Sequence, residues 1–532
     1  MSSHYRVLVT DGINADGLKP LSADPRFDLI TRPALDAAQL QRELVGIDAL
    51  LVRSATKVPR EALAGADKLK VIGRAGVGVD TIDVEAATER GIAVLNAPAG
   101  NTISAAELTM ALLLALVRRV SGADRSMKTG EWDRKNFSGI ELYGKTLGLI
   151  GAGRIGAEVA RRARAFDMRV LAYDPFLAAE RARSLEINLG TLEEVLTASD
   201  VISLHAPLTE STAGIIGAAQ LAMLKKGAFV LNVARGGLLD EQALLNELTS
   251  KRLGGAALDV YETEPLPKDH PFRSLGNVVL TPHLGASTAE AQQNVAVEIS
   301  EAVRAALVDG DLTRAVNAPA IGGEEMRRIR PLLDLGQRLG TLAAAMLPGA
   351  MEEVEVRYAG SSESMLRPLT STALIGVLSE AVGRDEINLV NAMHLAETRG
   401  LLVQRVRLPA HSDYAEYVEV RLRSAKGSIQ VAGALLAQRH PRVVRIGDYR
   451  VDIYPRHTLL VLRNRDVPGV IGRVGTALGD AGINIGEYHQ ARREAGGEAL
   501  AAISLDGRLA PDVIESLRKL PEILEVRQVQ LD

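Results

Sequence analysis

The sequence predicts an α/β protein with two doubly wound parallel-sheet regions, followed by an α+β region and a small ferredoxin-like unit. Short β-branched runs alternate with helical patterns over the first two thirds of the chain, and the pattern changes near residue 317. The last stretch reads as strand, helix, strand, strand, helix and strand. Alternation of the first kind is typical of parallel sheets covered on both faces.

Bulk composition limits the domain count and the kinds of partner. The chain has 532 residues, of which 47% are hydrophobic. A single core rarely exceeds about 250–300 residues, so we expect three or four domains. The net charge of −4 lacks the basic bias of nucleic-acid binders, and no nucleic-acid partner is expected.

The chain has no cysteine, which excludes disulfides and thiolate metal sites, and we predict no metal site. The amino terminus lacks a signal-peptide pattern. The longest apolar run, residues 110–117, is far shorter than the ~20 residues of a membrane span. We therefore expect a cytoplasmic protein without a membrane partner.

The strand-like runs of the first part are residues 7–9, 49–52, 70–72, 93–95, 147–150, 170–173, 201–204, 229–231 and 278–280. Residues 104–117 predict a buried helix capped by Ser104 with Glu107 three positions on. Because this helix is apolar nearly all round, it fits either a core or a subunit interface.

The second part begins with a turn-rich linker at residues 317–323. A helix to about residue 347 and a strand at 352–358 follow, and then more helix. Residues 417–423 alternate with period two, which predicts a half-solvated antiparallel strand.

The last part predicts a βαββαβ ferredoxin-like unit. Its expected elements are a strand at 458–462, a helix at 469–481, strands at 483–489 and 498–505, a helix at 511–520 and a strand at 523–529.

A glycine-rich turn joins a strand at 146–150 to a helix and predicts a Rossmann-type dinucleotide site. Gly151 makes the tight turn, Gly153 lets the backbone approach a pyrophosphate, and Gly156 allows close packing of helix on sheet. Asp174 follows the next strand, as the fingerprint requires. Its carboxylate can accept from both ribose hydroxyls and would repel a 2′-phosphate, so NAD is favoured over NADP.

Three polar residues, Arg235, Glu264 and His283, stand in loops after later strands. Ligands of open parallel sheets bind beyond the carboxyl ends of the strands. Oxidation of a 2-hydroxy acid needs a base for the hydroxyl proton, which suits histidine paired with a carboxylate. The substrate carboxylate needs a planar, permanently charged fork, which suits arginine.

These motifs resemble the D-isomer-specific 2-hydroxyacid dehydrogenase family over about residues 4–316. The resemblance implies that Arg235, Glu264 and His283 are catalytic. It implies a split substrate-binding domain, residues 1–98 plus 288–316, around a Rossmann NAD domain at 99–287. The cofactor contacts that it implies are Gly151, Gly153, Arg154, Ile155, Gly156, Asp174, Ala206, Pro207, Thr212, Val233, Ala234, Asp259, Gly285 and Ala286.

Additional cations predict a second anion on the substrate. The segments around Arg53, Arg74 and Arg134–Lys135 resemble the branch of the family that oxidises 3-phospho-D-glycerate to 3-phosphooxypyruvate, the first step of the phosphorylated pathway of L-serine biosynthesis. By that resemblance Arg53, Ser54, Arg74 and Gly78 face the substrate, and Arg134 reaches in from a partner subunit. Lys135, next to Arg134, is a further candidate for substrate binding.

The rest of the chain resembles the remaining domains of that branch. Residues 317–454 resemble its intervening domain, and residues 455–532 resemble an ACT regulatory domain, which binds amino acids between paired copies. The resemblance implies a homodimer or homotetramer and L-serine as an effector. The matching ligand positions are Asn464, Asp466 and Asn484.

Two alternatives stay open at this point. One is another D-2-hydroxyacid dehydrogenase, for example one acting on 2-hydroxyglutarate, and a side reduction of 2-oxoglutarate is compatible with the main reading. The other is a catalytically silent NAD-binding corepressor of the same fold, against which the intact Arg235, Glu264 and His283 argue.

Overall fold

Two parallel sheets occupy the first part of a computed structural model, which describes residues 4–360, 362–411 and 413–531. Residues 1–3 and 532, which the predicted first and last domains include, lie outside the described residues. Four sheets are present among the described residues. The predicted domain boundaries fall in segments between helices and strands.

The first sheet is all parallel, in the order β2-β1-β3-β4-β5. Both faces of this sheet pack against hydrophobic clusters, which explains the uninterrupted apolar runs of its strands. Its elements are β1 (Tyr5–Val9), α1 (Lys19–Ser22), β2 (Phe27–Thr31), α2 (Ala37–Glu43), β3 (Ala49–Val52), β4 (Val71–Arg74), α3 (Val84–Glu89) and β5 (Ala93–Asn96).

The second sheet is also parallel and has the Rossmann order, β12-β11-β10-β9-β6-β7-β8. The chain order reverses between β6 and β9, and in open parallel sheets the carboxyl edge at such a point is where ligands bind. Its elements are α4 (Thr102–Val117), α5 (Val120–Lys128), β6 (Thr146–Ile150), α6 (Arg154–Arg164), β7 (Arg169–Tyr173), α7 (Ala179–Ser184), β8 (Asn188–Leu189), α8 (Leu192–Ala198), β9 (Val201–Leu204), α9 (Ala218–Met223), β10 (Phe229–Asn232), α10 (Glu241–Thr249), β11 (Gly255–Leu258) and β12 (Val278–Leu280).

The start of helix α4 differs from the prediction. The helix begins at Thr102, so Ser104 lies inside its first turn and does not cap it. The Ser104 Oγ instead lies 2.7 Å from the Thr288 Oγ1. Most of the apolar residues of α4 are buried in the core of the second sheet.

Helix α11 (Ala289–Asp309) carries the chain back to the first sheet. Ile299 and Val303 on this helix belong to the hydrophobic core of that sheet. A side chain at Gly73 would collide with both, which explains why β4 carries a glycine there. The structure thus places α11 with the amino-terminal sheet, as a split domain requires.

The third sheet is mixed, in the order β14-β13-β15-β16-β17-β18. Only the β13–β14 pair is parallel. Its elements are α12 (Gly323–Met346), β13 (Met351–Ala359), α13 (Leu366–Val382), α14 (Ala392–Thr398), β14 (Leu402–Arg407), β15 (Tyr417–Ser424), β16 (Gly427–Leu436), β17 (His440–Ile446) and β18 (Tyr449–Ile453).

Strand β15 is antiparallel to both neighbours, as predicted, but the expectation that it is half-solvated was wrong. The strand lies in the middle of the sheet, and Glu419 is only 4% exposed. Glu419 stays charged there because Arg357, Arg421 and the Tyr417 hydroxyl surround its carboxylate. These bonds lower the pKa of Glu419 although burial acts against them.

The fourth sheet is antiparallel, in the order β20-β21-β19-β22, and the βαββαβ prediction is matched element by element. Helices α15 and α16 cover one face. The opposite face, with Leu459, Val461 and Leu500, packs into the hydrophobic core of the third sheet. The elements are β19 (Thr458–Arg465), α15 (Val470–Asp480), β20 (Ile485–Arg492), β21 (Glu498–Leu505), α16 (Pro511–Arg518) and β22 (Ile523–Gln530).

The helices of the described residues include none that is both long enough and apolar enough to cross a membrane.

Candidate active site

The glycine-rich turn between β6 and α6 has the geometry that a pyrophosphate needs. Gly151 adopts φ +95°, and a side chain there would press on the carbonyl of His205. A side chain at Gly156 would collide with the Gly151 carbonyl, so helix and turn pack closely. Gly153 faces open space and precedes the free N–H groups of the first turn of α6. The turn therefore fits the phosphates of NAD.

Asp174 follows β7 beside this turn. Its Oδ2 accepts from the Ala152 N–H at 2.9 Å, and its Oδ1 accepts from the Phe176 N–H at 2.9 Å. These two hydrogen bonds hold the carboxylate next to the glycine turn, and its predicted partner there is the ribose of the cofactor.

Among the remaining predicted cofactor contacts, Ala206, Pro207 and Thr212 lie on the loop after β9. The Thr212 hydroxyl donates to the Pro207 carbonyl at 2.6 Å and accepts from the Thr209 N–H at 2.8 Å. Thr212 therefore shapes the loop, and its contact with NAD stays a prediction.

The loop after β10 carries Arg235 and is held by Asn232. The Asn232 side chain donates to the Arg235 carbonyl at 2.8 Å and accepts from the Ala234 N–H at 3.1 Å. A side chain at Gly236 would overlap the Tyr261 carbonyl. Asn232 was not predicted to be functional, although its position directly after a strand is a signal that points to it.

Glu264 and His283 form the central pair of the site. The Glu264 Oε2 lies 2.8 Å from the His283 Nδ1, and the Glu264 Oε1 accepts from the Tyr261 N–H at 3.1 Å. The side chains are 37% and 49% exposed, so both reach an open cleft. The structure brings these two predicted residues together, and their catalytic role stays a prediction.

Asp259 fixes the loop that carries His283. His283 has φ +57°, a left-handed conformation that is uncommon outside glycine. Its N–H donates to the Asp259 carbonyl at 2.9 Å, and the next two N–H groups, of Leu284 and Gly285, donate to the Asp259 carboxylate. The Thr281 hydroxyl donates to the same carboxylate at 2.6 Å. Asp259 was predicted as a cofactor contact, and the structure shows it holding the histidine loop.

Arg53 and Arg74 lie at the carboxyl ends of β3 and β4 in the first sheet. Burial, together with the charges of Arg235 and Arg53, lowers the pKa of Arg74 to about 10. The Arg74 Nε is buried without a hydrogen-bond partner. A cluster of three arginines with an unpaired buried donor is suited to an anionic ligand.

Asp11 holds the loop that carries Arg53 and Ser54. Its Oδ2 accepts from the N–H groups of Arg53 and Thr56, and its Oδ1 accepts from the Thr56 hydroxyl. Asp11 was missed, although a carboxylate two residues after a parallel strand lies at the ligand-binding edge.

Gly78 lets the two halves of the site meet. A Cβ at Gly78 would lie 2.2 Å from the Arg235 Nη2 and 2.5 Å from the Asp80 Oδ2. Arg235 therefore reaches across the cleft to the first sheet, where its Nε lies 3.3 Å from the Asp80 Oδ2.

Arg134 and Lys135 lie exposed on the loop after α5. Within the described residues, no contact joins them to Arg53, Arg74 or Arg235. Substrate binding by both residues, and the approach of Arg134 from a partner subunit, stay predictions.

The three predicted effector positions do not meet within one chain. Asn464 pairs with Ala499 across β19 and β21, whereas Asn484 precedes Ile485, which pairs with Leu505. Six residues of strand separate these positions, about 20 Å. A site that uses both must therefore combine two copies.

The three predicted effector residues differ in their hydrogen-bond partners. Asn464 is buried and its Oδ1 has no hydrogen-bond partner. Asp466 accepts from the Gly496 N–H and pairs with Arg492. The Asn484 amide donates to the Asp506 carboxylate at 2.6 Å.

The Rossmann sheet, its glycine turn and the match to the NAD binding domain of the 2-hydroxyacid dehydrogenases define an NAD-dependent dehydrogenase. Three family models match consecutive parts of the chain. They are the D-isomer specific 2-hydroxyacid dehydrogenase NAD binding domain at residues 110–285, the D-3-phosphoglycerate dehydrogenase intervening domain at 328–447 and the ACT domain at 457–522.

Full-length relatives agree with these matches. The chain is 41% identical over 527 residues to a D-3-phosphoglycerate dehydrogenase of Methanocaldococcus jannaschii, covering 99% of this chain and 100% of the relative. It is 40% identical, with the same coverage, to a D-3-phosphoglycerate dehydrogenase of Bacillus subtilis. The chain belongs to the D-3-phosphoglycerate dehydrogenase family.

Solved structures resemble the dehydrogenase part. The TT0316 protein of Thermus thermophilus is 38% identical with a TM-score of 0.54, covering 58% of this chain and 99% of that one. A D-lactate dehydrogenase of Aquifex aeolicus, solved with NAD and lactic acid, is 30% identical with a TM-score of 0.52, covering 59% of this chain and 100% of that one. The predictions of fold class, NAD and an ACT domain are confirmed.

Proposed function

We propose that this protein oxidises 3-phospho-D-glycerate to 3-phosphooxypyruvate with NAD, the first step of the phosphorylated pathway of L-serine biosynthesis. The observation that carries the proposal is the 2.8 Å pair of His283 and Glu264 in loops of the sheet that also carries Arg235. Arg235 and Arg53 both lie close enough to Arg74 for their charges to act on it. The two full-length relatives are D-3-phosphoglycerate dehydrogenases, which supports the same substrate.

His283 acts as the base in this reaction. When its Nδ1–H donates to the Glu264 carboxylate, the free lone pair lies on Nε2, which takes the proton of the substrate hydroxyl. The carboxylate then stabilises the imidazolium that forms. NAD, when bound, accepts the hydride from the substrate carbon.

The arginines divide the two anionic groups of the substrate between the sheets. Arg235 binds the carboxylate next to the reacting carbon, because it lies on the same sheet edge as His283. Arg53 and Arg74 bind the phosphate from the first sheet. A lactate-sized substrate would leave the buried Arg74 charge without a partner, which disfavours it.

The test is NADH formation with 3-phosphoglycerate, compared with D-lactate, D-glycerate and 2-hydroxyglutarate. We expect 3-phosphoglycerate to have the highest kcat/KM. The same assay with 2-oxoglutarate and NADH measures the predicted side reduction. A higher kcat/KM for 2-hydroxyglutarate would favour the other dehydrogenase, and NAD binding without turnover of any substrate would favour a silent corepressor.

The role of His283 has its own test. His283→Ala should lower kcat at least ~10²-fold, the usual contribution of positioned proton transfer, and should retain NAD binding measured by calorimetry. His440→Ala, on an exposed end of β17, is the matched control. Turnover of His283→Ala at the wild-type rate would refute the assignment.

We propose L-serine as the effector of the ACT domain, bound between two copies by Asn464 and Asp466 of one and Asn484 of the other. The unpartnered, buried Asn464 Oδ1 supports a polar ligand there. Calorimetry should show L-serine binding to the wild type and weaker binding to Asp466→Ala. An absence of binding at millimolar serine would leave the domain an assembly module.

The proposal also includes a homodimer or homotetramer, the predicted four-domain division and a cytoplasmic location. Light scattering would measure the assembly, limited proteolysis the domain boundaries and cell fractionation the location.

A further inference from the structure

The ion pair between Asp80 and Arg235 joins the two sheets across the cleft. We propose that Asp80 is a resident counter-ion of Arg235, which the substrate carboxylate displaces when it binds. This inference rests on the proposed function and assigns Asp80 a role in adjusting affinity for the carboxylate end of the substrate. In this role Asp80 does not touch the substrate and acts by pairing with Arg235.

The geometry of the pair is that of a loose contact. The Arg235 Nε lies 3.3 Å from the Asp80 Oδ2, and the Asp80 side chain is 66% exposed whereas that of Arg235 is 27% exposed. The Arg235 Nη1 donates separately to the Ala234 carbonyl at 2.6 Å. Asp80 can therefore swing into water while Arg235 keeps its place.

The charges around the cleft explain why a counter-ion is useful in the absence of substrate. Arg53 and Arg235 act unfavourably on the buried Arg74 charge, while Asp80 and Asp11 act favourably. Asp11 is already bound by the loop that carries Arg53. Asp80 is thus the more exposed of the two carboxylates and is free to leave.

A substrate carboxylate has the advantage in this exchange. An exposed ion pair is weak because water solvates both partners and long side chains lose freedom. A carboxylate held in a closing site can bind the guanidinium with two parallel hydrogen bonds. The missing side chain at Gly78 lets the Arg235 guanidinium and the Asp80 carboxylate lie close against the first sheet, where this exchange takes place.

The competing interpretation is that Asp80 is a clamp that orients Arg235 in the bound complex. The two interpretations predict opposite signs for Asp80→Asn. Loss of a displaced counter-ion removes a competitor and strengthens substrate binding, whereas loss of a clamp weakens it.

The experiment is a titration of 3-phosphoglycerate into enzyme saturated with NADH, in which no oxidation can occur. Asp80→Asn should lower the Kd about two- to five-fold, the range expected for an exposed ion pair. D-Glycerate, which keeps the carboxylate and lacks the phosphate, should gain by the same factor. Glycerol 3-phosphate, which lacks the carboxylate, should bind as it does to the wild type.

Two variants serve as controls. Glu85→Gln removes an exposed carboxylate of α3 and should leave all three Kd values unchanged. Asp80→Glu keeps a carboxylate within reach of Arg235 and should restore wild-type affinity.

Three results would overturn the inference: weaker binding in Asp80→Asn, no change, or an equal gain for glycerol 3-phosphate, which would indicate general charge repulsion. If the wild type failed to bind or oxidise 3-phosphoglycerate, the proposed function would fall. The D-glycerate titration would then still decide the role of Asp80.

Discussion

Replacement of Gly78 by alanine tests the arrangement of the cleft most directly. The φ angle of Gly78 lies outside the left-handed region, so alanine can adopt the same backbone conformation. Any loss of activity would therefore arise from contacts of the new methyl group. The new Cβ would lie 2.2 Å from the Arg235 Nη2, which requires Arg235 or the loop to move by about 1 Å. A misplacement of that size can lower the rate about 100-fold, or ~2.7 kcal/mol of transition-state stabilisation.

The assay is kcat/KM for 3-phosphoglycerate, with NAD binding and the melting temperature measured in parallel. We expect kcat/KM to fall about 100-fold while NAD affinity stays unchanged, because the glycine turn lies on the other sheet. Gly276→Ala is the matched control, since a Cβ there meets nothing within 4 Å. If Gly78→Ala kept its activity within two-fold of the wild type, Arg235 would not occupy this position during catalysis.

Two further predictions concern the cofactor domain. Asp174→Ala should narrow the preference for NAD over NADP, measured as the ratio of kcat/KM values, and an unchanged ratio would assign the selection to another residue. Burial lowers the pKa of His205 to about 4, so unfolding takes up a proton between about pH 6.5 and 4. The free energy of unfolding should therefore fall as the pH falls through that window, by at most about 3 kcal/mol from this group. Denaturant titrations of His205→Asn should show a shallower pH dependence, and the same slope as wild type would contradict this.

The sequence predicts strands best where burial on both faces leaves a continuous apolar run, as in β3 and β9. It missed β11, whose glycine and alanines match no β-branched pattern but are buried between β12 and β10. It also misjudged the exposure of β15, because charge alternation marks a solvated face unless other strands bring counter-charges. Arg357 on β13 and Arg421 supply those charges to Glu419, and only the sheet order reveals it.

The residues of the candidate site were likewise only partly predictable from the sequence. His283, Glu264 and Arg235 could be predicted because each chemical step requires one residue type in a loop after a strand. Asp11 and Asn232 act by holding loops, and such hydrogen bonds leave no periodic signal. The role of Asp80 could not be predicted because it depends on an ion pair with Arg235, which belongs to another sheet and lies far away in the chain. The separation of Asn464 from Asn484 likewise follows from strand register, which sequence spacing does not reveal.

The shared core of the third and fourth sheets limits how the ACT domain can be transferred from one gene to another. Leu459, Val461 and Leu500 lie against the preceding domain, and Glu487 pairs with Arg442 across the same boundary. A gene fusion that moved only residues 455–531 to another enzyme would bring a bare apolar sheet face into water. A segment from residue 323 to residue 531 would keep that face covered, because the third sheet and its helices would move with it.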